Sequence, residues 1–152
     1  MKNFLLTLGI ILFSIPMWAQ KHTPKDLQGN WKLVTYNVQG ASLDVTTGKA
    51  ILTEKNDSPL MAAMGGKLIA DMESYAEGLR MSTLEITENN FSQVVVDFMR
   101  NGPYTITEKN GQQFISASFD DGTKDDIAFK FIDGKLCLFS LKGPKQYIYK
   151  KL

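Results

Sequence analysis

Apolar and polar residues alternate along most of the chain from residue 82 to its end. Ile127, Phe129 and Phe131 share one face of a run whose opposite face carries Lys130. Because successive side chains of a β-strand point to opposite sides of the sheet, this alternation predicts strands with one buried face. Seven such runs are present, at 82–87, 91–100, 103–109, 112–119, 123–132, 135–141 and 145–152.

Turn signals separate these runs. Asn-Gly or Asp-Gly pairs occur at 101–102, 110–111, 121–122 and 133–134. Glycine tolerates a positive φ because it has no Cβ, and Asn or Asp reaches the left-handed region at small cost, so these pairs favour tight hairpins. Strands joined by such short connections are consecutive antiparallel neighbours. The second half of the chain therefore predicts a β-meander.

An eighth strand is predicted at 29–38, well before the other seven. Its two faces carry Trp31, Leu33 and Thr35 against Val34, Tyr36 and Val38. Eight antiparallel strands in an open sheet would expose two edges, and pairing the first strand with the last removes both. The sequence therefore predicts an all-β fold, an eight-stranded antiparallel up-and-down barrel. At this strand number the interior holds packed side chains or one small ligand.

A helical insert is predicted between the first and second strands, at residues 58–80. Ser58 is a favourable N-cap, and Pro59 suits the first helical position, where a missing N–H costs nothing. Apolar residues at spacings of three or four form one stripe, namely Met61, Met64, Leu68, Met72, Tyr75 and Leu79. The pair Gly65-Gly66 predicts a break into a short helix and a longer one, since glycine weakens a helix interior. Residues 39–57 are assigned no element.

The first 19 residues have the pattern of a cleaved signal peptide. Lys2 supplies a positive start, residues 4–15 are mostly apolar, and residues 16–19 offer a break and a small residue. The apolar stretch is shorter than the ~20 residues that span a bilayer. We therefore expect export to the periplasm or out of the cell, and a single domain at 20–152.

The composition limits the partners and the covalent chemistry. The chain has 17 Lys and Arg against 16 Asp and Glu, so it offers no net attraction to nucleic acid or to anionic membranes. No stretch after the leader is long and apolar enough to predict a membrane span. Cys137 is the only cysteine, so an intrachain disulfide is impossible and the core must hold the fold together.

The start of the first strand resembles a known family. Gly29-Asn30-Trp31, followed by a meander of about eight strands, is similar to the lipocalins and the wider calycin superfamily. The resemblance implies that Trp31 lies at the closed end of the barrel. It also implies that a basic residue of the last strand, Lys150 or Lys151, packs across the Trp31 ring, and that the interior binds a small hydrophobic molecule.

The chain departs from the calycin pattern, since no Arg follows its last strand and no disulfide is possible. It lacks the Thr-Asp-Tyr motif of typical lipocalins between its sixth and seventh strands. Its helical insert is similar to the lid of fatty-acid-binding proteins, but Tyr147-Ile148-Tyr149 has no arginine to match their Arg-x-Tyr carboxylate clamp. We therefore expect a compact, divergent lipocalin-like domain of the kind found in small exported bacterial proteins.

A ligand site is expected inside the barrel and under the helix. The candidate lining residues are Trp31, Phe91, Val95, Tyr104, Phe114, Phe129, Phe131 and Leu138. The candidate lid residues are Met64, Leu68 and Met72, since methionine adapts to apolar ligands. Gln93 and Ser116 would add polar groups to an apolar cavity. Two alternatives stay open: these residues fill the barrel themselves, or the helix is docked permanently to bury its stripe.

Catalytic and metal-binding patterns are absent from the sequence. His22 is the only histidine and precedes the first strand, so no Ser-His-Asp or Cys-His pair is expected in the core. Cys137 lies in a predicted strand and is expected to be an inert apolar residue. The acidic segment 120–126 lacks the spacing of a calcium loop and predicts a solvated hairpin. We therefore expect no enzyme activity, no metal and no cofactor.

Two functions remain open at this point. The first is an exported lipocalin-like protein that holds a small hydrophobic or amphipathic molecule in its barrel. The alternative is an envelope interaction module or inhibitor with a filled barrel and no small ligand. Val34, Tyr36 and Val38 would then form an apolar patch on the outer wall.

Overall fold

The computed structural model describes residues 21–38, 40–53, 59–96, 98–140 and 143–152, with the backbone alone for 59–63. The predicted signal peptide, the predicted N-cap Ser58 and the side chain of Met61 lie outside the described residues.

The chain forms a closed barrel of eight antiparallel strands, to which a hairpin and a long helix are added. The elements are α1 (Pro24–Leu27), β1 (Gly29–Val38), β2 (Ala41–Asp44), β3 (Lys49–Leu52), α2 (Pro59–Arg80), β4 (Thr83–Ile86), β5 (Asn90–Val95), β6 (Phe98–Lys109), β7 (Gln112–Ser118), β8 (Lys124–Ile132), β9 (Lys135–Phe139) and β10 (Lys145–Lys151). Strands β1 and β4 to β10 make the barrel, and β10 pairs with β1 to close it. The predicted all-β barrel with a helical insert after its first strand is therefore confirmed.

The two halves of β1 have different neighbours. Residues 29–32 pair with β4, whereas residues 35–38 pair with β2, and β10 pairs along both halves. The β2–β3 hairpin thus replaces β4 beside the second half of β1. Helix α2 packs on this hairpin and reaches the β5–β6 turn, where Gly78 lies against Val96.

The barrel has two distinct ends. The end that carries Val38, Phe98 and Lys145 is called the mouth, and the end that carries Gly29 and Lys151 is called the base. The last turns of α2 lie beside the mouth. Within the described ranges, neither helix has the length and hydropathy needed to cross a membrane.

A β-bulge interrupts β1 at Val34, where the register of its pairing with β10 changes by one residue. One extra residue reverses the alternation of the side chains that follow. Tyr36 and Val38 consequently pack against the core, and the ring centre of Tyr36 lies 5.3 Å from that of Tyr147. The prediction that Val34, Tyr36 and Val38 form one outer patch is therefore wrong.

Strand β6 is longer than the turn signals predict. The pair Asn101-Gly102, predicted to be a turn, lies inside β6, and the turn falls instead between Val95 and Phe98. Glycine is required at position 102 because a Cβ there would lie 2.1 Å from the carbonyl oxygen of Ser118. The glycine therefore permits a close approach of two backbones instead of a tight turn.

Helix α2 is continuous over 22 residues, so the predicted break at Gly65-Gly66 is wrong. A Cβ on Gly65 would lie 2.7 Å from Leu52 Cδ1, so the helix is packed directly onto β3 at this point. Such tertiary packing outweighs the low helix propensity of a glycine pair. The glycine that weakens the isolated helix allows its close contact with the hairpin.

The buried face of α2 differs in part from the predicted stripe. Met72 and Leu79 are buried and Leu68 is partly buried, as predicted. Met64 and Tyr75, by contrast, are 59% and 53% exposed. Small residues of the helix face the hairpin, so the long side chains beside them remain outside. Met64 therefore faces solvent in this structure, and its role in covering a ligand stays a prediction.

Replacing Gly66 with alanine is expected to raise the free energy of unfolding by about 0.5–1 kcal/mol, because alanine restricts the unfolded chain more than glycine does. Nothing lies within 4 Å of the added Cβ. Gly65→Ala is the matched control, and its contact with Leu52 should cancel the gain. Urea denaturation followed by circular dichroism measures both variants. A Gly66→Ala variant that is less stable than the unaltered protein would contradict the continuous helix.

Candidate functional site

Trp31 closes the base of the barrel. Its indole N–H donates a hydrogen bond to the carbonyl oxygen of Leu27 at 2.8 Å, and both residues are buried. The Nζ atom of Lys151 lies 5.3 Å from the centre of the Trp31 ring, so Lys151 is the basic residue that covers it. Phe131 and His22 add two further rings on this side. Trp31 therefore belongs to a packed base and not to an open pocket.

Most of the candidate lining residues belong to the packed core. The buried members are Trp31, Phe91, Val95, Tyr104, Phe129 and Leu138, and Phe131 is partly buried against them. The hydroxyl of Tyr104 donates to the carbonyl oxygen of Thr87 at 3.0 Å, and burial raises the pKa of this phenol. The half of the barrel near the base is thus filled by its own side chains. Val95 and Leu138 are the members that border open space at the mouth.

Phe114 and Ser116 point to the outer wall, so their prediction as lining residues is wrong. Strand β7 turns Ile115 and Ala117 into the core, and Phe114 and Ser116 alternate with them. The Nζ atom of Lys109 lies 5.9 Å from the Phe114 ring centre. This run has apolar residues on both of its faces, so alternation alone does not show which face is buried.

Four polar side chains lie on the inner face of the barrel. Arg100 Nη1 donates to Asp125 Oδ2 at 3.1 Å, and the two side chains are 25% and 19% exposed. Gln93 Nε2 donates to the hydroxyl oxygen of Tyr149 at 2.8 Å, and both of these residues are buried. Burial raises the pKa of Tyr149 well above its usual range, so the phenol stays neutral. The interior therefore combines an ion pair near the mouth with a neutral hydrogen-bonded pair that reaches toward the base.

Two aromatic rings also hold the Arg100 guanidinium. Its Cζ atom lies 4.7 Å from the ring centre of Phe98 and 5.5 Å from that of Phe119. Asp125 reaches Arg100 because it shares the inner face of β8 with Ile127, two residues along the strand. Stacking and ion pairing together orient a side chain that has many rotamers when free. The pair therefore presents donors and acceptors in a defined direction.

The sequence interpretation misses Arg100 and Asp125 for two reasons. The predicted turn at 101–102 divides β6, which hides that Arg100 shares the face of Tyr104. Asp125 belongs to the acidic segment that predicts a solvated hairpin. That prediction holds for Asp121, which accepts two hydrogen bonds from Thr123, and these bonds lower its pKa. Arg100 and Asp125 each lie an even number of positions from a buried aromatic residue of the same strand. This spacing is the signal that both side chains point into the barrel.

Two adjoining cavities open at the mouth. The polar cavity has a volume of about 170 Å³ and is bordered by Arg100, Asp125 and Leu138, among others. The helix cavity has a volume of about 240 Å³ and lies between Tyr75 and Leu79 of α2 and the barrel. Typical pockets for drug-sized ligands measure roughly 300–1,000 Å³. Each cavity alone is therefore below that range.

Phe98, Lys145 and Tyr147 border both cavities. The rings of Phe98 and Tyr147 meet edge to face with their centres 6.2 Å apart, and the Tyr36 ring centre lies 5.3 Å from that of Tyr147. Aromatic side chains thus line the helix cavity, while the ion pair lines the polar cavity. This geometry suits a molecule with one apolar part and one polar part.

Reactive and metal-binding groups do not gather at the mouth. Burial raises the pKa of the Cys137 thiol, which makes it a poor nucleophile. His22 lies at the base, where its backbone N–H donates to Gln113 Oε1 at 2.8 Å. Over the part of the chain that the structure describes, no group of three or more His, Cys, Asp or Glu side chains could hold a metal.

Replacing Arg100 with methionine is expected to lower the free energy of unfolding by about 1–3 kcal/mol, because Asp125 loses its cationic partner in a largely buried position. The double variant with Asp125→Asn should recover at least half of this loss. Guanidinium chloride denaturation of the single and double variants measures the coupling. Additive losses in the double variant would contradict a direct pairing of the two side chains.

Comparison of the chain with protein-family models, with curated proteins and with solved structures finds no match. The class that the fold defines is a closed eight-stranded β-barrel with a helix beside its mouth.

Proposed function

We propose that this chain is a binding protein that holds one small amphipathic molecule at the mouth of its barrel. The observation that carries this proposal is the pair of adjoining cavities with a common wall of Phe98, Lys145 and Tyr147. One cavity is bordered by aromatic and aliphatic side chains, and the other contains the ion pair of Arg100 and Asp125. Ligand sites commonly combine an apolar pocket with a few polar groups that fix orientation.

The filled base limits where in the barrel a ligand can be proposed to lie. A ligand that occupied the whole barrel would have to displace Phe91, Phe129 and Trp31, which are buried and close-packed. The ligand is therefore proposed to remain near the mouth, beside the last turns of α2. Leu79 and Tyr75 of that helix would cover it.

A lipocalin-like relationship and export through a cleaved leader are parts of this proposal. The closed base supports the first, since Trp31 and Lys151 lie against each other as the resemblance implies. The apolar stretch at 4–15 after Lys2 supports the second.

The alternative function, an interaction module with a filled barrel, has less support. Its predicted patch on the outer wall does not form, because the bulge at Val34 turns Tyr36 and Val38 toward the core. The exposed apolar residues that remain on the wall near the mouth include Val94 and Met99, which pair across β5 and β6. We favour the small-molecule function because the mouth also offers an oriented polar group.

Fluorescence titration with 1-anilinonaphthalene-8-sulfonate and with Nile red tests the proposed function. Saturable binding of at least one dye is expected. Leu79→Phe should weaken that binding by about tenfold, because the larger ring occupies space in the helix cavity. Met99→Phe on the outer wall is the matched control, since Met99 is 74% exposed and should leave the affinity unchanged. Equal affinity in both variants would place the dye elsewhere and contradict the proposal.

A further inference from the structure

Lys145 carries a positive charge at the mouth. It is the first residue of β10 and lies at the rim of both cavities. The other charged residues among those that border the cavities are Arg100 and Asp125, and they neutralise each other at 3.1 Å. One positive charge therefore remains without an opposing carboxylate among the described cavity residues. A ligand with one negative charge would complement it.

The walls beside Lys145 are aromatic. Tyr36 and Tyr147 are tilted by 35° with their ring centres 5.3 Å apart, and Phe98 stands at 84° to Tyr147. Rings in such arrangements offer both faces and edges, which suit offset-stacked and edge-to-face contact with another planar ring. The helix cavity therefore suits a flat apolar group better than a branched one.

Resting on the proposed function, we infer that the ligand is a planar aromatic molecule with a single negative charge. Its ring system lies in the helix cavity between Phe98, Tyr147 and Leu79. Its anionic group lies at the rim, where the ammonium of Lys145 and the outer N–H groups of Arg100 supply donors.

The filled base and the charge of Lys145 disfavour two other ligand classes. A long alkyl chain extended along the barrel axis would meet the filled base, where Trp31, Phe91 and Phe129 are buried. A cationic ligand would meet Lys145 at the rim. It would also compete with the Arg100 guanidinium, which already lies against the Phe98 ring. Both features disfavour the aromatic-cage mode of ammonium recognition.

Four probes separate these classes by isothermal titration calorimetry at low ionic strength. They are 2-naphthoate, its neutral analogue 2-naphthamide, the cation 2-naphthylmethylammonium and the alkyl acid decanoate. We expect 2-naphthoate to bind about fivefold tighter than 2-naphthamide and tighter still than the other two, the size of effect typical of one exposed charge pair. The preference for naphthoate over naphthamide should shrink in 0.5 M salt, which screens exposed charges.

Variants of Lys145 test the origin of the charge preference. Lys145→Gln should weaken the preference for naphthoate over naphthamide, because Arg100 remains as a donor, and Lys145→Glu should reverse it in favour of 2-naphthylmethylammonium. Lys145 is exposed, so neither change should disturb the fold. Lys150→Gln, an exposed lysine of the same strand near the base, is the matched control and should keep the preference intact.

The possible outcomes distinguish the two claims. Naphthamide or the naphthyl cation binding as tightly as naphthoate in the unaltered protein would overturn the inferred ligand class and leave the proposed function standing. Decanoate binding more tightly than naphthoate would do the same. If all four probes and the two dyes fail to bind, the proposed function itself is wrong. Tighter naphthoate binding that survives Lys145→Glu would overturn the assigned role of Lys145.

Discussion

Replacing Trp31 with alanine is expected to lower the free energy of unfolding by about 3–5 kcal/mol, which is a large part of the stability of a typical domain. Trp31 is 2% exposed and donates its indole N–H to Leu27. The substitution would leave a cavity in the base and would remove the surface on which Lys151 packs. Guanidinium chloride denaturation, followed by circular dichroism, measures the loss.

Trp31→Phe separates packing from hydrogen bonding at the same position. It keeps a ring and removes the bond to the Leu27 carbonyl oxygen, so a smaller loss of about 1–2 kcal/mol is expected. Met99→Ala is a control on the outer wall, and its effect should remain within about 0.5 kcal/mol. A Trp31→Ala variant that loses less than about 1 kcal/mol would show that the base is not packed around this ring.

Gly102→Ala is expected to lower the free energy of unfolding by about 3 kcal/mol or more, which is the upper end for overpacking a core. The added Cβ would lie 2.1 Å from the carbonyl oxygen of Ser118 and 2.9 Å from Cα of Phe119. Both atoms belong to the backbone, so no rotamer change can relieve the contact. The distortion should also reach Arg100, which stacks on Phe119.

Gly66→Ala is the matched control for this substitution, because the same added methyl group meets nothing within 4 Å. A loss in Gly102→Ala together with a gain in Gly66→Ala is the expected pattern, measured by thermal and urea denaturation of both variants. Equal stabilities of Gly102→Ala and the unaltered protein would contradict the close approach of β6 to the end of β7.

Local patterns predict most of the barrel. The strands β4 and β8 are predicted by period-two alternation, and turns by Asn-Gly or Asp-Gly pairs such as 110–111 and 133–134. Both signals depend only on residues that are close together in the chain. Asn110 and Asp133 have positive φ angles, which confirms that the pairs 110–111 and 133–134 form tight turns. Closure by β1 and β10 follows from the cost of exposed sheet edges.

The errors arise where a distant segment decides a local feature. Gly102 and Gly65 are conformationally permissive residues. The sequence therefore predicts a turn at Gly102 and a helix break at Gly65. In the structure each instead permits a close approach, to Ser118 and to Leu52 respectively. The bulge at Val34 likewise depends on the register between β1 and β10, which no local pattern reveals.

The candidate site is predicted less well than the fold. Aromatic residues such as Phe129 and Trp31 are correctly placed inside the barrel, but they fill it instead of lining a cavity. The polar groups of the mouth are missed because Arg100 and Asp125 look like surface charges in the sequence. Only the barrel geometry brings them together, since 25 positions separate them in the chain.

Nuclear magnetic resonance titration of the uniformly ¹⁵N-labelled protein with 2-naphthoate tests most directly whether the mouth binds a ligand. Saturable shifts are expected for the backbone amides of Val95, Phe98 and Tyr147, with little change at Trp31 in the base. Either no saturable shift, or the largest shifts at the base or the outer wall, would contradict a binding site at the mouth.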